Sequence, residues 1–175
     1  MNEEGAAAMD YLVRPARTGD VRSIRRLVDA NVATGRLLDK ATVTLYEDVQ
    51  EFLVAQRGSD AGVVGCGALH VMWEDLAEIR TIAVDEQFQG EGVGHGIVEA
   101  LLARARELGV SRVFVLTFAV KFFARLGFEE IDGEAAAPAV YAELLRSYDE
   151  GVAEFLDLDR VKPNTLGNTR MLLRL

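Results

Sequence analysis

Four glycines, spaced two residues apart, separate a strand-like segment from a helix-like segment near the middle of the chain. Residues 76–84 alternate in the manner of a strand, and residues 94–108 carry one apolar helical stripe that stops at Gly109. Glycine lets backbone N–H groups converge on one point, and a helix N-terminus adds partial positive charge. The segment therefore predicts a phosphate site built largely from main chain, around Gly90, Gly92, Gly94 and Gly96.

Two familiar nucleotide loops do not fit this segment. A dinucleotide-binding loop follows the first strand of a βαβ unit and has an acidic residue about 20 positions later. Here the loop lies mid-chain after a predicted hairpin, and the next strand ends at Leu116-Thr117-Phe118 without a carboxylate. A Walker loop needs Gly-Lys-Ser/Thr, which the sequence lacks. A flexible strand-to-helix turn stays open as the simpler interpretation.

Hydrophobic periodicity predicts an α+β fold in α/β/α layers. One mixed, twisted, mostly antiparallel sheet is expected, flanked by helices. Strands are predicted at 11–17, 63–73, 76–84, 112–118, 128–131 and 170–175. Helices are predicted from Val21 to about Gly35, at 94–108, 121–126 and 138–148, and more weakly at 43–51. Residues 11–175 are expected to form this single domain, and the acidic, alanine-rich residues 1–10 a disordered lead-in.

Charge and composition narrow the function classes. A formal net charge of −9 argues against nucleic acid as a partner, because phosphates demand a basic surface. No apolar run approaches the roughly 20 residues of a membrane span, and no secretory signal is present, which predicts a cytoplasmic protein without a membrane partner. The lone Cys66 excludes an internal disulfide and a cysteine-rich metal site, and we expect a buried thiol and no metal.

Two motifs resemble those of the GNAT superfamily of acyl-CoA N-acyltransferases, with a likeness that runs from about Arg14 to Ile131. Gln89-Gly90-Glu91-Gly92-Val93-Gly94 is similar to its coenzyme A signature, and the segment 122–128, Phe-Phe-Ala-Arg-Leu-Gly-Phe, to a later element. The resemblance implies acetyl-CoA as co-substrate. It also implies pyrophosphate contacts to the amides of residues 89–95, ending at His95, and pantetheine and acetyl contacts to the strand end Ile82, Ala83 and Val84.

The match departs from the family at two positions. Glu91 stands where many members have a basic residue, but a site made of amides lets this side chain point outward. Phe123 stands where many members carry a tyrosine that protonates the leaving thiolate. Phenylalanine cannot donate a proton. Either water protonates the leaving thiolate, or the thiolate leaves without being protonated.

A closer resemblance is to the short, actinobacterial-type N-acetylglutamate synthases. It rests on Gly67-Ala-Leu-His70, on residues 77–84 and on the closing Gly167-Asn-Thr-Arg-Met171. It implies transfer of acetyl to the α-amino group of L-glutamate or L-glutamine, the first step of arginine biosynthesis. The larger relatives carry an arginine-binding kinase domain, for which this chain has no room. The implied acceptor-binding residues are His70, Arg80, Thr117, Asn168 and Thr169.

Several roles stay open on sequence alone. Glu78 is either the base that deprotonates the acceptor or a structural ion-pair partner, and Arg80 either grips a carboxylate or pairs across the sheet surface. A two-residue hairpin turn places His70 opposite Ile79, whereas a three-residue connection places it opposite Glu78. The segment 148–168 caps the acceptor pocket, with Lys162, Asn164 or Asn168 contributing, or forms the arm of a homodimer.

Two rival functions also remain. One is acetylation of another small amine, such as a polyamine or drug, or of a peptide N-terminus. The other is a non-catalytic coenzyme A-binding module, suggested by Phe123.

Overall fold

The computed structural model describes residues 10–37, 39–58, 62–165 and 167–175. The predicted lead-in lies outside these ranges except for Asp10. One seven-stranded sheet runs in the order β1-β2-β3-β4-β5-β7-β6, and β4 and β5 are its only parallel neighbours in the described ranges. The strands are β1 (Tyr11–Pro15), β2 (Phe52–Arg57), β3 (Val63–Trp73), β4 (Leu76–Val84), β5 (Arg112–Thr117), β6 (Glu129–Glu130) and β7 (Thr169–Arg174). The mixed α+β architecture is confirmed.

Helices cover both faces of the sheet. They are α1 (Val21–Val32), α2 (Thr42–Glu47), α3 (Val93–Glu107), α4 (Val120–Arg125), α5 (Pro138–Leu144), α6 (Glu150–Phe155) and α7 (Lys162–Thr165). On one face α3 packs through Ile97 and Leu101. On the other face α1 covers the β1–β4 half around Cys66, while α5 and α6 cover the β5–β7 half around Phe114. The predicted buried thiol is confirmed, since Cys66 is 0% exposed. Within the described residues no helix is both long and apolar enough to cross a bilayer.

Three elements, β2, α6 and the short α7, were missed by the sequence analysis. Strand β2 begins with four buried residues in a row, so it lacks the alternation that marks a half-exposed strand. The helix predicted at 138–148 ends at Leu144, and a separate helix, α6, follows. The Asp149 side chain caps α6 by accepting a hydrogen bond from the Val152 N–H.

Two β-bulges shape the β3–β4 hairpin. Trp73 pairs with Leu76 across the predicted two-residue turn, but an extra residue, Met72, then shifts the register so that His70 lies opposite Glu78. The turn has two residues, but the register, which stayed open on sequence alone, is not the one opposite Ile79 that this turn length implies. The bulge produces the pairing that was expected only from a longer turn.

The second bulge lies on β4 and bends the strand. Cys66 pairs with Ala83 and Ala68 with Arg80, so Thr81 and Ile82 together face Gly67, and Thr81 has φ +59°. A Cβ on Gly67 would collide with the Ile82 side chain. Beyond Glu78, β4 no longer pairs with β5, and a gap opens in the middle of the sheet.

Candidate active site

The glycine-rich loop between β4 and α3 presents main-chain donors at the N-terminus of α3. Gly90 and Gly92 have φ values of +82° and +83°, in the left-handed region that favours glycine. The Gly96 N–H donates to the Gly92 carbonyl and closes the first helical turn. The N–H groups of residues 93–95 precede that bond and therefore have no acceptor within the helix. They are available for an anion.

A cavity of about 450 Å³ lies against these donors. Arg125 is the one arginine or lysine among the residues that line this cavity. The geometry suits a pyrophosphate, because convergent amides and a helix N-terminus bind phosphate with little help from charged side chains. The lining residues are Val84, Phe88, Gln89, Gly90, Gly92, Val93, Gly94, His95, Phe122 and Arg125. We refer to this loop and cavity as the cradle.

Side chains around the cradle hold the loop in place. The Tyr11 hydroxyl on β1 donates to the Gly92 carbonyl at 2.9 Å, and a Cβ on Gly96 would lie 2.5 Å from that hydroxyl. The Gln89 amide donates to the Val84 carbonyl at 3.3 Å. Glu91 pairs with Arg57 at 3.2 Å and is exposed, so its side chain points outward as expected. The first strand of the sheet thus supports a loop far away in sequence.

The two phenylalanines on α4 differ in position. Phe123 is 4% exposed and packs edge-on against Phe122 and Phe128 in the core. Phe122 lines the cradle, close to Gly94. Phe123, which the resemblance places among the coenzyme-binding residues, is therefore not among the residues that line the cradle and supports it from behind. Its ring carries no proton to donate.

A second cavity, of about 480 Å³, lies on the opposite face of the sheet at the gap between β4 and β5. Its floor comprises residues 78–81 and Leu116, and its walls are the α1–α2 connection and the start of α6. The lining carries seven carboxylates and three cations: Asp39, Glu47, Asp48, Glu78, Asp149, Glu150 and Glu154 against Arg36, Lys40 and Arg80. We refer to it as the acceptor cavity.

Arg80 forms a buried ion network in this cavity. Its Nε and Nη2 donate to Glu78 Oε2 at 3.0 and 2.7 Å, and its Nη1 donates to both Asp149 oxygens at 2.9 and 3.0 Å. Burial by itself would lower the pKa of Arg80, but Glu78 and Asp149 hold it above its ordinary value. A Cβ on Gly151 would lie 2.5 Å from the guanidinium carbon, so the start of α6 closes directly over Arg80.

This network changes the interpretation of Arg80. The side chain is 8% exposed, so it is not a surface cross-strand partner. Glu78 and Asp149 engage both edges of its guanidinium, which favours a role in positioning α6 over direct capture of an acceptor carboxylate.

The other predicted acceptor residues are only partly brought together. Asn168 lines the acceptor cavity. His70 binds Glu51 through Nδ1 at 2.7 Å and is not among the residues that line it. Thr117 accepts the Ala119 N–H at 2.9 Å and pairs with Thr169 where β5 meets β7. These two threonines therefore anchor strand ends beside the cavity.

The sequence analysis missed most charged residues of the cavity, among them Arg36, Lys40, Asp149 and Glu154. The expectation that segment 148–168 caps the acceptor pocket agrees with the position of α6. Lys162, however, lies near Asp157 and Asp159 at 4.0 and 3.5 Å on the surface, and the Asn164 side chain lies outside the described part of the structure. The capping pattern that begins at Asp149 was the one available sequence signal.

Comparisons with known proteins agree with this architecture. The profile of the Acetyltransferase (GNAT) family matches residues 33–128. An amino-acid acetyltransferase from Mycobacterium tuberculosis is 60% identical over 163 residues, which cover 93% of each chain. The crystal structure of Rv2747 from Mycobacterium tuberculosis, in complex with CoA and NLQ, superposes with a TM-score of 0.90 at 60% identity and covers 94% of this chain and 99% of that one.

A more distant structure shows the same fold. The N-acetylglutamate synthase from Neisseria gonorrhoeae, complexed with coenzyme A and N-acetyl-glutamate, has a TM-score of 0.74 at 24% identity. The likeness covers 94% of this chain and 35% of that one.

Proposed function

The chain belongs to the acetyltransferase (GNAT) family, and we propose that it transfers the acetyl group of acetyl-CoA to the α-amino group of L-glutamate or L-glutamine, the first step of arginine biosynthesis. The observation that carries this function is the meeting of the two cavities on one strand. Val84 lines the cradle, and residues 78–81 of the same strand form the floor of the acceptor cavity. The 60% identical mycobacterial amino-acid acetyltransferase supports the same activity.

Bound acetyl-CoA supplies a thioester whose carbonyl carbon the acceptor nitrogen attacks. We assign its pyrophosphate to the N–H groups of residues 93–95 and to Arg125, and its pantetheine arm to the main chain of residues 82–84. A backbone N–H at Ile82 or Val84 would stabilise negative charge on the thioester oxygen. Among the described residues, no three His, Cys, Asp or Glu side chains are placed so that together they could hold a metal ion. The proposed reaction uses no metal.

Lys40 and Arg36 are assigned to the acceptor's α-carboxylate. Both line the acceptor cavity, and neither has an ion pair among the residues that the structure describes. The guanidinium of Arg80 is engaged on both edges by Glu78 and Asp149, so Arg80 instead positions the walls of the acceptor cavity. The excess of carboxylates in the lining disfavours a second negative charge on the acceptor, so we expect a higher kcat/KM for glutamine than for glutamate.

Thiol release from acetyl-CoA, assayed across the free amino acids and polyamines, tests this function. We expect turnover with glutamine or glutamate and only background rates with the rest. Preference for a polyamine would favour the rival acetylation of a cationic amine, for which the acidic lining is the supporting observation. Tight binding of acetyl-CoA without turnover on any amine would favour a non-catalytic module.

We further propose that residues 11–175 act as one acetyltransferase domain with a small-molecule substrate. The cytoplasmic location, the homodimer and the absence of nucleic-acid and membrane partners stay predictions.

A further inference from the structure

Glu154 on α6 is a buried carboxylate with an unused oxygen. The residue is 9% exposed, and its Oε1 has no hydrogen-bond partner among the described residues. It lines the acceptor cavity. An unpartnered buried carboxylate is unfavourable for folding, so its presence on a cavity wall points to a ligand group that completes it.

Two other carboxylates of the cavity, Glu78 and Asp149, are engaged by Arg80. Glu78 Oε2 accepts two hydrogen bonds from Arg80. The Asp149 oxygens accept from Arg80, and Oδ1 also accepts the Val152 N–H. Glu154 is therefore a residue of the cavity wall with a carboxylate oxygen, Oε1, for which the described residues supply no donor.

Charged groups from several elements face Glu154. Burial raises its pKa to about 7, and the negative charge of Glu78 acts in the same direction. Glu150 on α6 adds to this effect, while Arg80 on β4 and Lys40 on the α1–α2 connection oppose it. Arg170 on β7 donates to the main-chain carbonyls of Glu154 and Phe155 at 3.5 and 2.8 Å.

We propose that Glu154, rather than Glu78, accepts the proton that the acceptor's ammonium group must lose before its nitrogen attacks the thioester. This inference rests on the proposed function, because it requires an amine acceptor in this cavity. An ammonium donating to Oε1 would also satisfy the oxygen that the protein leaves without a partner.

The proton balance is complete without another reactant. One proton moves from the ammonium nitrogen to Glu154 Oε1 and later returns to solvent. The nitrogen lone pair forms the new C–N bond, and the C–S bond breaks with its electron pair on sulfur. The second proton leaves the nitrogen and reaches the thiolate through solvent, in keeping with a phenylalanine at position 123. A base whose pKa lies near the working pH suits the first of these steps.

The test compares steady-state kinetics of Glu154→Gln, Glu154→Asp and the wild type from pH 5.5 to 9.5. We expect kcat of Glu154→Gln to fall by about 100-fold or more near neutral pH, while KM for the acceptor changes less than about threefold. The wild-type rate should level off above a pH near 7. The rate of Glu154→Gln should keep rising as the neutral amine form accumulates, and Glu154→Asp should recover part of the loss.

Matched variants separate proton transfer from other causes. Glu143→Gln removes an exposed carboxylate on α5 and should match the wild type. Glu78→Gln should lower the rate by disturbing the Arg80 network. It should keep a titration limb but move that limb to lower pH, because the negative charge of Glu78 helps to raise the pKa of Glu154. Acetyl-CoA affinity of Glu154→Gln should be unchanged, which checks that the variant is folded.

The outcomes are distinct. A Glu154→Gln variant with wild-type kcat and pH profile, in a protein that turns over amino acids, would overturn the inference and leave the proposed function intact. An increase in KM alone would also overturn it and make Glu154 a recognition group. If the wild type acetylates only another amine, the proposed function fails, and the same pH comparison with that amine still decides the role of Glu154.

Discussion

The cradle and the acceptor cavity bind their ligands in opposite ways. The cradle offers main-chain N–H groups at one helix end, and Glu91 within its loop points outward to Arg57. The acceptor cavity is built from charged side chains, three of which form the buried network of Arg80, Glu78 and Asp149. Main-chain recognition suits a coenzyme shared by a whole family, whereas a side-chain network can change with each acceptor. Four predictions test this contrast.

The largest effect is expected on folding when Arg80 is replaced. Arg80→Met leaves Glu78 buried without its guanidinium, so we expect the free energy of unfolding to fall by about 3–5 kcal/mol. Urea denaturation monitored by circular dichroism measures it. Arg146→Met, which breaks an exposed pair with Glu143, should cost no more than about 1 kcal/mol. Equal stability of the two variants would show that the network does not hold the acceptor cavity together.

The next effect is on coenzyme binding. Gly92→Val places a branched side chain at a φ of +83° and crowds the donors of the cradle. We expect acetyl-CoA affinity to fall by about 100-fold, or about 3 kcal/mol, because several hydrogen bonds to phosphate are lost. Titration calorimetry measures it. Gly109→Val is the matched control, since Gly109 has the same φ of +83° at the other end of α3. Similar losses from both variants would attribute the effect to backbone strain.

A smaller effect concerns pH and stability. The pKa of Glu154 is about 7 in the folded protein and near 4.5 otherwise, so folding favours its protonated form. The wild type should therefore lose stability relative to Glu154→Gln as pH rises from about 4.5 to 7, by about 1–3 kcal/mol. Urea denaturation at several pH values measures the difference. A constant difference across this range would mean that Glu154 does not titrate there.

The smallest effect is expected at Glu91. Glu91→Gln removes an exposed charge without touching the amides, so acetyl-CoA affinity should rise by less than about threefold and the gain should shrink with added salt. Calorimetry at low and high salt measures both. A tenfold change would indicate that this side chain takes part in coenzyme binding.

The same contrast explains what the sequence could predict. The cradle is contiguous, and its glycines, its preceding strand and the stripe of α3 are all visible within residues 76–109. Even Glu91, which departs from the common pattern, could be expected to point outward because amides carry the site. The local sequence therefore predicts most of the structure of the cradle.

The acceptor cavity depends on contacts between distant residues. Glu78 and Arg80 were recognised as candidates, but their partner Asp149 is 69 residues from Arg80 and no pattern connects them. The bulge at Met72 places His70 opposite Glu78, and the residues of the neighbouring turn do not predict it. Glu154 looks in sequence like one more acidic residue of a helix, and only the packing of α6 over Arg80 makes it a buried group.

The place of β7 between β5 and β6 affects how the molecule is assembled during synthesis. Strands β1 to β4 are neighbours in both chain and sheet, so each can pair as it leaves the ribosome, and α3 follows them directly. Strand β5 can pair with β4 through residues 112–114, but its other edge and the whole of β6 must wait for β7, and α6 lies on the connection that leads to β7. A nascent chain can thus form the coenzyme-binding residues before α6, the cavity wall that carries Glu154, has been translated.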